Sequence, residues 1–155
     1  MLSYSNEAWS DCLRDEIEPL LREHWLEQAL DQDKIELAPD WDRYALIAKA
    51  GLLHIVTARS SEGFVVGFYV AVLSPHLHYR NDVMAVTDNF FLQKEYRRGF
   101  EGLRFFRNVV SSLDGEVSEI FVNTKLHVNP GAGLSLERVG FKPVGTVYAK
   151  VLKHG

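Results

Sequence analysis

The chain has 155 residues, 46% hydrophobic and 25% charged, which suits one domain over residues 1–155 with a real core. Its formal net charge of −4 lacks the basic surplus that phosphate neutralisation demands, so no nucleic-acid partner is expected. No apolar run is long enough for a bilayer, the start "MLSYSNEAWSDCLRDEIEPL" has no signal-peptide core, and Cys12 has no internal partner; an intracellular protein with an inert thiol is expected, with no membrane partner.

Trp9, Leu13, Ile17, Leu20, Leu21 and Trp25 recur at helical steps, predicting a helix over 7–30, with Pro19 marking a kink or a break into two helices. Asp40 and Gly51 bracket a second helix over 40–50. "LLHIVTAR" and "FVVGFYVAVL" read as a hairpin across the turn "SSEG". The loop "SPHLHYRND" leads to a strand "VMAVTDNFFLQ", a helix over 101–113 and a strand "SEIFVNTK". A short helix ending at Gly140 and a last strand "GTVYAKVL" complete the order. A central strand–helix–strand unit makes a parallel pair, so an α/β (α+β) fold is expected, a mixed sheet with helices on both faces.

Between the third helix and the strand before it stands "FFLQKEYRRGFEGLRFF". A glycine-rich turn opening directly into a helix aims backbone N–H groups and the positive helix end at one point, which suits a phosphate; nearby arginines add charge. A plain tight turn with solvated arginines is the alternative. Neither a P-loop ending nor G-x-G-x-x-G is present.

The stretch resembles the acyl-CoA loop of the GNAT N-acetyltransferases, Gln/Arg-x-x-Gly-x-Gly/Ala. "RRGFEG" supplies Arg97 and Gly102 in register, with Phe100 at the usual first glycine and Gly99 one residue earlier. The element order and "LSLERVGFKPVGTVYAKVL" extend the resemblance over the whole chain. "HWLEQALDQDKIELAPDWDRY", "SPHLHYRNDVMAV" and "ERVGFKPVGTVYAK" further resemble acetyltransferase-like proteins of bacteriophage and prophage genomes, implying a bacterial host cytoplasm.

The resemblance implies the GNAT fold, a splayed strand pair, and acetyl-CoA as acyl donor without a metal. Phe91 and Leu92 would face the acetyl and pantetheine groups. Arg97, Arg98, Gly99, Phe100, Glu101, Gly102 and Leu103 would surround the pyrophosphate, with the Glu101 side chain turned outward, and Asn129 would touch the pantetheine arm. The acceptor would be a primary amine of a small molecule or protein, and homodimerisation is common in this fold.

A protonated amine needs a base before it can attack a thioester. Asp88 is the first candidate; strict alternation would group it with Met84, Val86, Phe90 and Leu92, an apolar setting that raises a carboxyl pKa. His76 and His78 share a side of an extended loop with Tyr79 beside them; His78 is a second candidate for proton transfer, and His76 and Tyr79 for lining the acceptor pocket. No further Cys or His completes a metal site there. His24 could line the same pocket. The family's usual tyrosine acid is replaced by Leu136, leaving Tyr148 as a substitute acid or as core packing. Phe100 and Leu136 also fit a catalytically inactive module that binds acyl-CoA or a protein.

Overall fold

The computed structural model describes residues 1–125 and 132–152. The Ser10 side chain accepts a hydrogen bond from the Leu13 amide and so starts α1 (Asp11–Gln28). Pro19 lies inside this one helix, which is not divided in two. The helix expected from residue 7 begins later because the chain before it is extended. Ser3–Asn6 form β1, which pairs with a neighbouring strand from residue 56 onwards. "SYSN" carries no alternation of its own, so only that long-range pairing reveals the strand.

Asp40 accepts from the Arg43 amide to cap α2 (Trp41–Lys49), and Gly51, at φ 72°, turns the chain out of it. The strands β2 (Leu53–Arg59), β3 (Val65–Pro75) and β4 (Val83–Leu92) follow as an antiparallel meander. Then α3 (Glu101–Leu113) carries the chain to β5 (Glu119–Phe121), which runs parallel to β4. The sheet order is β1-β2-β3-β4-β5. A short α4 (Ala132–Glu137) closes at Gly140, φ 97°.

Helices cover both faces of the sheet. Tyr69, Ala85 and Leu92 pack against Phe105, Phe106, Val109 and Leu113 of α3, with Leu136, Val139 and Phe141 at the margin. On the other face Ile55, Phe68, Val70 and Phe91 meet Leu13, Ile17, Leu20 and Leu21 of α1. Each such side chain contributes roughly 1.5–3 kcal/mol when taken from water, which holds α1 in place far more firmly than its propensity does.

Two strand expectations fail at the C-terminal side. "SEIFVNTK" pairs only over Glu119–Phe121, and residues 141–152 form no strand, leaving Val147 and Tyr148 exposed. Strand propensity needs an edge to pair with, and a three-residue β5 offers little of one.

Candidate functional site

The centre of the site is a defect in the ladder between β3 and β4. Val70 faces Asn89 and Ala71 faces Thr87, so Asp88 is the extra residue of a β-bulge. The bulge inverts the facing of everything after it. Ala85 and Thr87 point toward α3, the latter hydrogen-bonded to the Tyr69 hydroxyl at 3.0 Å. Beyond the bulge Phe90 and Leu92 point toward α3, and Phe91 toward α1. The expected grouping of Asp88 with Phe90 and Leu92 is therefore corrected: alternation does not run through a bulge.

The parallel ladder is equally brief. It joins Met84 to Glu119, Ala85 to Ile120 and Val86 to Phe121; among the described residues no β4–β5 pairing follows, although β4 continues to Leu92. Asp88 thus stands two residues past the last rung, where the strands part.

Desolvation raises the pKa of Asp88, opposed by a hydrogen bond from the Asn89 side-chain amide. Burial pushes the Tyr44 phenol up to about 12, and the nearby Asp88 charge adds to that shift. Tyr44 in turn packs with Trp9 and Trp41, ring centroids 5.1 and 5.2 Å away. Asp88, exposed on its outer side, therefore lies near an aromatic wall carried by α2 and the segment before α1, a setting that shifts its carboxyl toward the protonated form.

The strand end leads through a 3-10 turn (Lys94–Tyr96) into the glycine loop. Gly99 has φ 58°, a left-handed conformation that favours glycine. Phe100 precedes α3 without a side-chain cap. The Arg97, Glu101 and Arg104 amides donate to the carbonyls of Lys94, Arg98 and Phe100. Those of Arg98, Gly99, Phe100, Gly102 and Leu103 find no acceptor among the described residues. A Cβ placed on Gly102 would meet nothing within 4 Å among the described residues, and its φ is not positive. The chain itself does not need glycine there; the clearing lies over open amides at the positive end of a 13-residue helix, and an anionic group such as a pyrophosphate fits it.

The side chains around the loop are turned aside. The Glu101 carboxylate accepts from the Tyr4 hydroxyl at 2.7 Å and from Arg104 at 2.6 Å, contacts that hold its pKa down while Tyr4 is raised chiefly by burial. Arg97 donates from Nε to the Leu92 carbonyl and from a terminal nitrogen to Glu27 at 2.9 Å, with its guanidinium 5.2 Å from the Phe91 ring centroid. Arg98 and Phe100 are exposed. His24 stands edge-on to Phe91 at 5.5 Å; its Nδ1 is buried without a partner among the described residues, and burial lowers its pKa, so the ring is neutral near pH 7.

The structure thus gathers Asp88, Phe91, Leu92, His24 and the loop of 97–103 along one end of β4. His76, His78 and Tyr79 occupy the exposed loop at its other end, where the His78 amide donates to His76 Nδ1 at 3.1 Å and Tyr79 lies 4.4 Å from the His76 ring. Val83 and Asp88 are separated by about 16 Å along the strand, at about 3.3 Å per residue. Tyr148 is 90% exposed and belongs to neither a strand nor the core. Asn129 lies outside the described residues. Among the described residues no three His, Cys, Asp or Glu side chains converge as metal ligands would. Sequence reasoning missed Glu27, Glu23 and Tyr44. The signal for Glu27 was present: with His24 it prolongs the apolar stripe of α1, where further apolar residues would be expected.

No family model matches the chain, and no curated protein matches it in sequence. Solved structures do match in shape. An aminoglycoside acetyltransferase from an uncultured soil metagenomic sample, solved in complex with sisomicin, superposes with TM-score 0.72 at 14% identity, over 98% of this chain and 97% of the other. Glucosamine-6-phosphate N-acetyltransferase from Arabidopsis thaliana gives 0.72 at 8% identity, over 97% and 99%. Ribosomal-protein-alanine N-acetyltransferase from Brucella melitensis gives 0.67 at 15% identity, over the whole of both chains. At these identities the superpositions speak for the fold alone: a mixed five-stranded sheet flanked by helices, so the chain has the GNAT fold.

Proposed function

We propose that this protein is an N-acetyltransferase that moves an acetyl group from acetyl-CoA to a primary amine by direct attack in a ternary complex. The observation that carries this reading is the β4–β5 pair ending at Val86 and Phe121, with Asp88 bulged just beyond and open amides at the start of α3. The amides of Arg98, Gly99, Phe100, Gly102 and Leu103 would hold the diphosphate, and Phe91 and Leu92 would flank the pantetheine arm. Bound acetyl-CoA would supply an activated acyl group: as the C–N bond forms the C–S bond breaks, and the second proton lost from nitrogen goes to the sulfur, which leaves as CoA thiol. Asp88 takes the ammonium proton, directly or through water, and so exposes the attacking lone pair. His24, neutral and edge-on to Phe91, would back the pantetheine side of the site without bringing charge to it.

The acceptor is a small-molecule or protein amine; the structural neighbours named above include enzymes for both kinds of substrate. On this reading the reaction belongs in a bacterial cytoplasm, in keeping with the phage-like segments of the sequence. A second reading, an acyl-CoA or protein binder without catalysis, draws on Leu136 at the usual tyrosine position and on Phe100 in the loop. Thermal unfolding with acetyl-CoA, free CoA and adenosine diphosphate tests the donor site. Cofactor at a hundred times its Kd should add about 2.7 kcal/mol of stability. Thiol release with a panel of amines then separates the two readings, and no stabilisation at millimolar acetyl-CoA would sink both acyl-CoA readings.

A further inference from the structure

We infer that Arg97 is a positioning residue rather than an anion ligand, and that Glu27 of α1 is the anchor through which it acts. The inference rests on the donor-site reading above but assigns the arginine a different task from the one its place in the loop invites. Its guanidinium already spans three groups. Nε donates to the carbonyl of Leu92, the last residue of β4, closing the 3-10 turn like a clasp. A terminal nitrogen reaches Glu27 Oε2 at 2.9 Å, and the plane lies 5.2 Å from the centroid of the Phe91 ring.

A second tie runs alongside. Gln93 Nε2 donates to Glu23 Oε1 at 3.2 Å, and Lys94 Nζ lies 3.8 Å from Glu27 Oε1. Glu23 and Glu27 stand one helical turn apart, so one face of α1 receives three side chains from residues 93–97. That helix is itself fixed on the sheet by Leu13, Ile17, Leu20 and Leu21. Downstream, the Arg98 and Gly99 amides have no acceptor among the described residues, and the next tie is the Tyr4 hydroxyl on Glu101, already inside α3, so residues 97–100 have few restraints of their own. The entry to the loop takes its orientation from α1.

The two roles predict opposite signs. Glu27→Gln removes a negative charge beside an anion site and frees Arg97. If Arg97 were a phosphate ligand, diphosphate binding would tighten. If Glu27 is the anchor, binding loosens despite the favourable change in charge.

The test uses the full chain and its Glu27→Gln, Arg97→Gln, Arg97→Lys and double Glu27→Gln/Arg97→Gln variants, with acetyl-CoA and adenosine diphosphate as probes. Glu27→Gln and Arg97→Gln should each weaken both ligands about three- to tenfold, the double variant should be no worse than the weaker single one, and Arg97→Lys should not rescue, because an ammonium cannot span Leu92 and Glu27 together. Tighter or unchanged binding by Glu27→Gln, or full rescue by Arg97→Lys, overturns the inference. Hydrogen exchange without ligand reads the anchor independently. The amides of Arg97, Glu101 and Arg104, which carry the loop's turn bonds, should exchange faster in Glu27→Gln and, more mildly, in Glu23→Gln; unchanged exchange overturns the anchor. If the wild type binds neither probe while exchange still responds to Glu27, the donor-site reading falls and the anchor stands.

Discussion

Gly102→Ala separates what the fold needs from what a ligand needs. Gly102 sits in the first turn of α3 with the ordinary helical sign of φ and, among the described residues, nothing within 4 Å of where a Cβ would stand. Alanine should therefore fit the free protein and favour it, through helix propensity and a less flexible unfolded chain, by about 0.5–1 kcal/mol. For a domain of this size that raises Tm by about 1–4 °C. The same methyl occupies the clearing over the open amides. A tenfold weaker site lowers the stabilisation at a wild-type saturating dose from about 2.7 to about 1.4 kcal/mol. Differential scanning fluorimetry with and without acetyl-CoA should show the free variant melting above wild type and its ligand-induced shift roughly halved. A ligand shift equal to wild type would mean that the clearing does not receive the diphosphate. A lower Tm for the free variant would refute the claim that the fold leaves this position open.

Asp88→Asn should lower kcat at least about tenfold while leaving the Kd for acetyl-CoA within about twofold, and should remove the acid limb of the pH–rate profile; an unchanged kcat strikes Asp88 from the mechanism. Gly67→Ala should destabilise by about 1–3 kcal/mol, since its Cβ would lie 2.8 Å from both the Phe91 carbonyl oxygen and Leu92 Cδ1. Urea denaturation measures it. Burial lowers the pKa of both His24 and His54, whose Nε2 meets Ser112 Oγ at 2.8 Å. The unfolded chain therefore binds more protons below about pH 6.5, and stability present above that pH should be lost as pH falls through it toward the lowered folded values. Denaturation midpoints at pH 7.5 and 5.5 should show the loss, and His54→Gln should reduce it; a flat profile contradicts the burial of neutral rings.

Local signals located most elements because they need only near neighbours. Asp40 and Gly51 bracketed α2 where the capping bond and the positive φ stand. The helix over 101–113 matches α3, and Gly140 closes α4. The exceptions share one cause. Strand β1, the shortened β5 and the unpaired segment after Phe141 all depend on whether a distant edge is offered, which no local pattern encodes. The bulge is the instructive case for the site. Asp88 was singled out by its place on the strand under the family resemblance and by alternation, yet its neighbours include Asn89 and Tyr44 rather than Phe90 and Leu92, because one extra residue reverses the facing of Phe90, Phe91 and Leu92.

By itself the sequence determined the order of helices and central strands, the glycine turn that opens α3, and the acid and aromatic residues carried by β4. These follow from side-chain period, capping and backbone freedom, all properties of short stretches of chain. Only the tertiary structure decided where β4 and β5 part, which way Asp88 looks, and that Arg97 reaches across to Glu27, seventy residues earlier in the chain. Those are matters of register and long-range packing, and a register is settled only when two strands, or a helix and a loop, have met.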